Sequence, residues 1–287
     1  MSDPEVPAVP PRAATPYVHA PLSRARAVAL AVLGLLVGTW CTICGVGGGI
    51  FAVPLLHYVF GMPLQVAIGN SLVLVAAMTT SATGVEMLRG DGSLHLDLVL
   101  VLVAGSLVGT RLGVAASRRV NALTLKRVFS VLLVVVAIEL AFEFGRPASV
   151  AVASEPFAVH SRDVVTIAAI GLASGFVAPL LGIGGGLVAV PALFFGFPAL
   201  GFLGARAAST AMSMVNGWQS VWLLRGDRHV DVATAIWFAG GAMIGGWLGV
   251  SLVHVPGVAL VAQRMLALTL CFVAARFAWD GWLARRR

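Results

Sequence analysis

Residues 45–56 read GVGGGIFAVPLL, and residues 182–193 read GIGGGLVAVPAL. Other pairs recur at nearly the same distance, about 136 residues. Arg89-Gly90-Asp91 matches Arg225-Gly226-Asp227, and AGSLVGTRLGV from residue 104 matches AGGAMIGGWLGV from residue 239. Each copy places three consecutive glycines, Gly47-Gly48-Gly49 or Gly184-Gly185-Gly186, ahead of an apolar run at 50–60 or 187–197. Both runs are only half as long as a membrane crossing and end at a Gly-x-Pro, Gly61-Met62-Pro63 or Gly196-Phe197-Pro198. Lipid offers no partner to a free backbone group, so such a piece is tolerated at depth only when protein buries it or it lines a cavity. Two copies of one unit, each opening on a broken helix, are the pattern of many secondary transporters, and the breaks point to the midplane site.

Outward from these motifs the chain is a series of apolar runs. A helix rises 1.5 Å per residue, so a hydrocarbon core of about 30 Å needs about 20 residues. Runs of that scale lie at 27–44, 64–88, 94–116, 123–144, 164–181, 203–224, 230–253 and 258–283. The sequence is 59% hydrophobic and 11% charged, with mean hydropathy +0.96, whereas soluble domains are roughly 45–50% apolar and about 25% charged. A water-soluble core cannot absorb that excess. The pattern predicts an all-α integral membrane protein of two homologous repeats, with about eight full transmembrane helices and two half-length broken or re-entrant ones.

The net charge of +7 arises from arginines at the ends of apolar runs, the placement of orientation signals, so no nucleic-acid partner is expected. Residues 1–24, rich in proline and lacking an apolar run, read as a disordered cytoplasmic tail and not as a signal peptide. Trp40 is too large for the small-residue position before a processed Cys41. The first membrane repeat then covers 25–145, an inter-repeat loop 146–162, the second repeat 163–284, and a basic tail 285–287. Repeat orientation depends on whether the half-length runs complete a crossing. If they do, the second copy is upside down, and the Arg-dense segment 118–127 joins the N-terminus in the cytoplasm, as the positive-inside rule prefers. Inverted repeats in the inner membrane are therefore the expectation.

The twin glycine motifs, followed by Val53-Pro54-Leu55 and Val190-Pro191-Ala192, together with Ile68-Gly69-Asn70-Ser71-Leu72, resemble the sulfite exporter TauE/SafE family of membrane permeases. The resemblance runs from residue 27 to about residue 283. It implies a secondary permease, not an enzyme, that moves sulfite, a sulfonate or a related organosulfur or organic anion across a bacterial cytoplasmic membrane without a cofactor. The second copy departs from the pattern: Ala208-Ser209-Thr210-Ala211 stands where the first has Gly69-Asn70-Ser71-Leu72, with Arg206 just upstream.

The candidate substrate-binding residues follow from the same motifs. Gly47, Gly48 and Gly49, with Gly184, Gly185 and Gly186, let a ligand approach the main chain, and the helices starting at Ile50 and Leu187 offer free N–H groups and a positive dipole end. That is an anion cradle without a charged side chain. Asn70, Ser71, Ser209 and Thr210, early in the next spans, read either as ligand contacts or as interhelical hydrogen bonds. Thr79, Thr80, Ser81, Ser213, Asn216, Trp218 and Gln219 extend this stripe as interhelical bonding groups. Gly105, Gly109 and Gly113, four apart, read as a packing face where one added methyl is expected to be milder than a bulky residue in a glycine cluster.

Glu86, Asp97, Glu139, Glu143, Arg111, Arg206 and Arg276 are ionisable groups within or near spans, and such groups are functional candidates by default. Arg111 and Arg276 lie near span ends and are expected to snorkel. Glu139 and Glu143, four apart, read as a proton relay or as interfacial groups. His57 lies within a half-length run. Cys41-Thr42-Ile43-Cys44 raises a rival reading, a membrane thiol–disulfide electron-transfer protein. Against it, the second copy has Ala178 and Leu181 at the equivalent positions. No His–Glu zinc motif, nucleophile elbow or phosphate-binding loop appears. The expected partners are a small anionic substrate and membrane lipid, and no residue pattern specifies an oligomeric state.

Overall fold

A computed structural model describes residues 23–90, 94–117, 159–225 and 230–255, together with Gly257, Val258, Val261 and Arg264. The predicted span 123–144, most of 258–283, the segment 118–127, Glu139, Glu143, Arg276 and nearly all of both terminal tails lie outside the described residues. The helices are α1 (Arg24–Cys44), α2 (Gly49–Pro54, continuing into a π turn at Leu55–Val59), α3 (Leu64–Arg89) and α4 (Leu96–Ser117). The second copy gives α5 (Ser161–Leu181), α6 (Gly186–Gly196), a 3-10 turn at Pro198–Leu200, α7 (Gly201–Leu224) and α8 (Val232–Val253). No strand occurs among the described residues. Five of these helices, α1, α3, α4, α5 and α8, are long and apolar enough to cross a bilayer; α6 and α7, bent by 104°, make a sixth candidate if counted as one. Both predicted half-length runs are short helices, at Gly49–Val59 and Gly186–Gly196.

Local chemistry explains the breaks. α1 and α5 stop at Gly45 and Gly182, with φ of 72° and 73°, a left-handed cap that L side chains rarely adopt. The Gly45 N–H turns back to the Thr42 carbonyl at 3.2 Å, and the Gly182 N–H to that of Ala178 at 2.9 Å. In α2, Pro54 has no N–H to give to the preceding turn. The ladder widens there into the π turn, closed by the Phe60 N–H on the Leu55 carbonyl at 3.3 Å.

The outer helices exchange partners between copies: α1 packs on α8, and α4 packs on α5. Glycines bring these backbones together. Gly34 and Gly38 of α1 face Phe238 and Ala242, while Gly241, Gly245 and Gly249 of α8 face Ala31, Leu35 and Thr39. In the counterpart pair, Gly105, Gly109 and Gly113 of α4 abut Ala168, Leu172 and Phe176, and Gly171 and Gly175 of α5 abut Leu102 and Ser106. Each copy therefore finds the surface for its glycine faces on the other. Valine, leucine and tryptophan side chains such as Val28, Leu36, Leu100, Trp222 and Trp247 point outward, as a lipid-facing surface requires.

Contact registers fix helix directions. Residue numbers rise together along α1 and α8, from Gly34 with Phe238 to Thr42 with Gly249, and along α3 and α8, from Met78 with Gly246 to Glu86 with His254. Thus α1, α3 and α8 point the same way. α7 opposes α3, because Ala76 meets Gly217 while Glu86 meets Arg206.

The packing sets what an added methyl at Gly109 would meet. A methyl group there runs into the Leu172 carbonyl and lies 2.8 Å from the Phe176 nitrogen, main-chain atoms with no rotamer to yield. Gly109→Ala is expected to destabilise the protein by about 1–3 kcal/mol, the usual scale of overpacking. Gly84→Ala on α3, where no described atom lies within 4 Å, should leave thermal unfolding in detergent unchanged.

Candidate functional site

The two glycine loops, distant in sequence, touch backbone to backbone. A Cβ on Gly47 would strike the Ile183 carbonyl and one on Gly49 the Gly182 carbonyl, and a Cβ on Gly186 would sit 2.9 Å from the Val46 carbonyl carbon. Two serines fasten the contact from opposite sides. Ser71 Oγ donates to the Gly182 carbonyl at 2.8 Å, and Ser209 Oγ donates to the Gly45 carbonyl at 3.2 Å. These are equivalent bonds, each running from one copy to the αL cap of the other, and they pair Ser209 with Ser71, one residue away from the sequence match of Ser209 with Asn70. They also bring the carbonyl end of α5 beside the start of α2, and that of α1 beside the start of α6, so opposite helix-dipole ends from different copies adjoin.

The remaining candidate residues divide by what they touch. Thr210 Oγ1 donates to the Arg206 carbonyl of its own helix at 2.8 Å. Asn70 is buried, with Nδ2 3.8 Å from Met62 Sδ and Oδ1 lacking a hydrogen-bond partner among the described residues. The polar stripe largely joins the copies: Trp218 Nε1 donates to Thr80 Oγ1 at 2.9 Å, and Gln219 Nε2 to the Leu107 carbonyl at 3.1 Å. Asn216 Nδ2 donates to the Gly184 carbonyl at 3.3 Å, and Thr110 Oγ1 donates to Asn216 Oδ1 at 3.3 Å. Thr79 Oγ1 returns to its own helix at the Val75 carbonyl, 2.6 Å away. His57 Nδ1 lies 2.7 Å from the Met62 carbonyl, which requires the ring nitrogen to donate and pins the end of the first half-length run. Asp97 accepts the Val159 N–H at 3.2 Å, and Arg111 is exposed on α4. Cys41 and Cys44 are buried and unbridged.

Beside the loops lies a wholly buried charge. Arg206 is 0% exposed and pairs with Glu86, also buried. Its Nη1 also donates to the Thr42 carbonyl at 3.5 Å, and its Cγ would lie 2.6 Å from a Cβ on Gly45. His254 Nε2 stands 3.6 Å from the second Glu86 oxygen. The sequence marks Arg206 and Glu86 separately; the antiparallel packing of α7 on α3 pairs them. His254, at the end of α8, carried no signal, because nothing in its local sequence reveals that α8 ends beside the end of α3.

The sequence model of the family described as "Sulfite exporter TauE/SafE" matches residues 8–140 and 167–287. The chain is 29% identical over 245 residues to "Probable membrane transporter protein YunE" of Bacillus subtilis (strain 168), covering 78% of this chain and 88% of that protein. It is 28% identical over 255 residues to a "Probable membrane transporter protein" of Xylella fastidiosa (strain 9a5c), covering 87% and 94%. A shorter match, 35% over 116 residues, covers 38% of this chain and 18% of "Probable membrane transporter protein MamO" of Paramagnetospirillum magneticum (strain ATCC 700264 / AMB-1). No solved structure matches the chain.

The buried pair sets a stability prediction. Removing one partner leaves an uncompensated charge away from water, typically a loss of about 3–5 kcal/mol. Glu86→Gln should therefore lower the unfolding temperature in detergent sharply, and the double variant Glu86→Gln with Arg206→Met should recover much of the loss. Equal stability of the single variant and the parent would show that the pair does not neutralise Arg206.

Proposed function

The chain belongs to the sulfite exporter TauE/SafE family of membrane transporters, and from that membership we propose that it is a secondary permease for a small anion, sulfite, a sulfonate or a related organosulfur or organic anion. The observation that carries this reading is the meeting of two broken helices at their starts, in loops without a charged side chain. The first-turn N–H groups of a helix lack intrahelical partners, and with the positive dipole end they favour an anion. On this reading Gly47, Gly48 and Gly49, with Gly184, Gly185 and Gly186, are the place of approach; Ser71 and Ser209 border it, and Asn70 and Thr210 are the further side chains assigned to the substrate. Because Ser71 and Ser209 hold the loops together, exchanging those bonds for bonds to the anion is the local step that opens the site.

The same reading takes the two copies as inverted repeats in the inner membrane. Its support is directional: α1 and α3 point the same way, so the chain must return between them, and α2 occupies that stretch. A returning half-length segment in each copy makes the crossings per copy odd, which turns the second copy upside down. The motion that carries an anion across is then a rocking of one copy against the other, with the energy coming from a gradient and not from covalent chemistry.

Uptake of 35S-labelled sulfite, thiosulfate and sulfoacetate into proteoliposomes tests the proposal. The parent should exchange at least one of them. Gly185→Leu, at φ 93° and with the Ser174 carbonyl 2.6 Å from the added Cβ, should lose uptake at least tenfold while remaining inserted and monodisperse. Absence of exchange by the parent, or full uptake by the leucine variant, would contradict the proposal.

A further inference from the structure

The buried Arg206–Glu86 pair has an apolar counterpart. At the spacing that relates Ser71 to Ser209, Arg206 stands where the first copy has Ile68, and Leu224 stands where the first copy has Glu86. The antiparallel register that sets Glu86 of α3 against Arg206 of α7 also sets Ile68 beside Leu224, and both belong to one apolar cluster with Leu72. The same junction is closed once by charge and once by hydrocarbon. A buried ion pair adds little net stability over a well-packed apolar contact of similar volume, so packing alone does not account for the charges.

His254 makes this pair a place to hold a proton. Its Nδ1 lies 2.8 Å from the Val250 carbonyl, which only accepts, so that nitrogen carries the hydrogen. In the neutral ring Nε2 then presents a lone pair, and it stands 3.6 Å from Glu86 Oε2. An ionised carboxylate also only accepts. Two acceptors facing each other away from water repel, and one added proton, on the imidazole or on the carboxyl group, turns the contact into an attractive one. Arg206 from α7 and His254 from α8 thus face the carboxylate. Cys41 and Cys44, where α1 ends, are buried thiols, Arg89 farther along α3 is exposed, and His57 lies at the other end of α3 on the Met62 carbonyl. The His254 side chain is 11% accessible where α8 ends, against 0% for Glu86 and Arg206, which gives a proton its way in.

We propose that Glu86 and His254 form the proton-binding site of an anion–proton symporter, with Arg206 carrying its charge to the glycine loops. The inference rests on the permease reading and names the ion that drives it. Arg206 reaches both places: its guanidinium pairs with Glu86, its Nη1 donates to the Thr42 carbonyl, and its Cγ would lie 2.6 Å from a Cβ on Gly45. Ser209, three residues on, holds the Gly45 carbonyl. With neutral His254 the charges of Arg206 and Glu86 cancel. A bound proton leaves the cluster with one net positive charge beside the loops, and a monovalent anion there cancels it again. The empty and the doubly loaded states are both neutral, whereas either ion alone leaves a net charge in a low-dielectric interior, which is costly. Each ion therefore favours binding of the other, and the two cross together.

The test uses proteoliposomes and whichever of 35S-labelled sulfite, thiosulfate and sulfoacetate the parent exchanges. Two rates are compared: exchange at equal pH on both sides, which needs no net proton movement, and net uptake with the lumen made alkaline. In the parent the pH gradient should speed net uptake at least about fivefold, the lower end of ordinary coupling between two sites. His254→Gln should keep exchange within about threefold of the parent and lose the stimulation, a split that a merely structural role would not produce. Parent and variant meet the same anion, so its own protonation cancels from the comparison. If His254→Gln inserts poorly, the double variant Glu86→Gln with Arg206→Met takes its place, with the same loss of stimulation expected. His160→Gln, at the exposed start of α5, should respond to the gradient as the parent does. A parent that exchanges the anion without responding to the gradient, or a His254→Gln variant that responds fully, overturns the proton site and leaves the permease reading standing. If the parent exchanges none of the three anions, the permease reading fails and the proton site falls with it.

Discussion

The contact between two αL-capped glycine loops, fastened by Ser71 on the Gly182 carbonyl and Ser209 on the Gly45 carbonyl, is the constraint on which the rest of the structure depends. Glycine at these positions serves two ends at once. The left-handed caps at Gly45 and Gly182 end α1 and α5, and the missing side chains at Gly47, Gly49 and Gly186 let carbonyls of the other copy approach. Neither loop can be built in isolation, because each closes on main-chain atoms supplied by its duplicate. The exchange of outer helices, α1 to α8 and α4 to α5, repeats the same logic at larger scale. Hydrophobic burial gives little drive to association inside lipid, so close backbone packing and a few interhelical hydrogen bonds must supply specificity.

The polar side chains of the interior obey that economy. Asn216, Trp218 and Gln219 of α7 each bond to the first copy or to the loop it meets. The Arg206–Glu86 pair ties α7 to α3, and His254 brings the end of α8 to the same carboxylate. Against this pattern, the buried hydroxyls of Thr42, Thr83, Ser174, Ser213 and Ser220 have no hydrogen-bond partner among the described residues.

Much of this was legible in the sequence because membrane helices announce themselves by length and composition. The starts and ends of α1, α3, α5 and α8 fall within three residues of the predicted runs, and the paired GGG motifs located both short helices. What the sequence could not show was which helix lies against which. Gly109 read correctly as a packing residue, yet the severity of an added methyl depends on the Leu172 carbonyl opposite, a fact of register between α4 and α5. Ser71 and Ser209 read equally well as ligand contacts or as interhelical bonds until their partners were seen. The Cys41-x-x-Cys44 pair looked like chemistry in one dimension; in three, both thiols are buried, Cys41 among apolar side chains. The comparisons lend the electron-transfer reading no support, since the relatives are named as membrane transporters.

The central claim is that two copies of one unit, inverted in the membrane, interlock through their glycine loops. Membrane topology tests it most directly, with a reporter active only in the cytoplasm fused after Asn121, between the predicted fourth and fifth crossings, and separately after Glu155, before the second copy. The inverted arrangement, with a cytoplasmic N-terminus, predicts activity after Asn121 and silence after Glu155. Silence after Asn121 with activity after Glu155 would mean that the half-length helices do not return the chain across the bilayer, and would contradict the inverted arrangement.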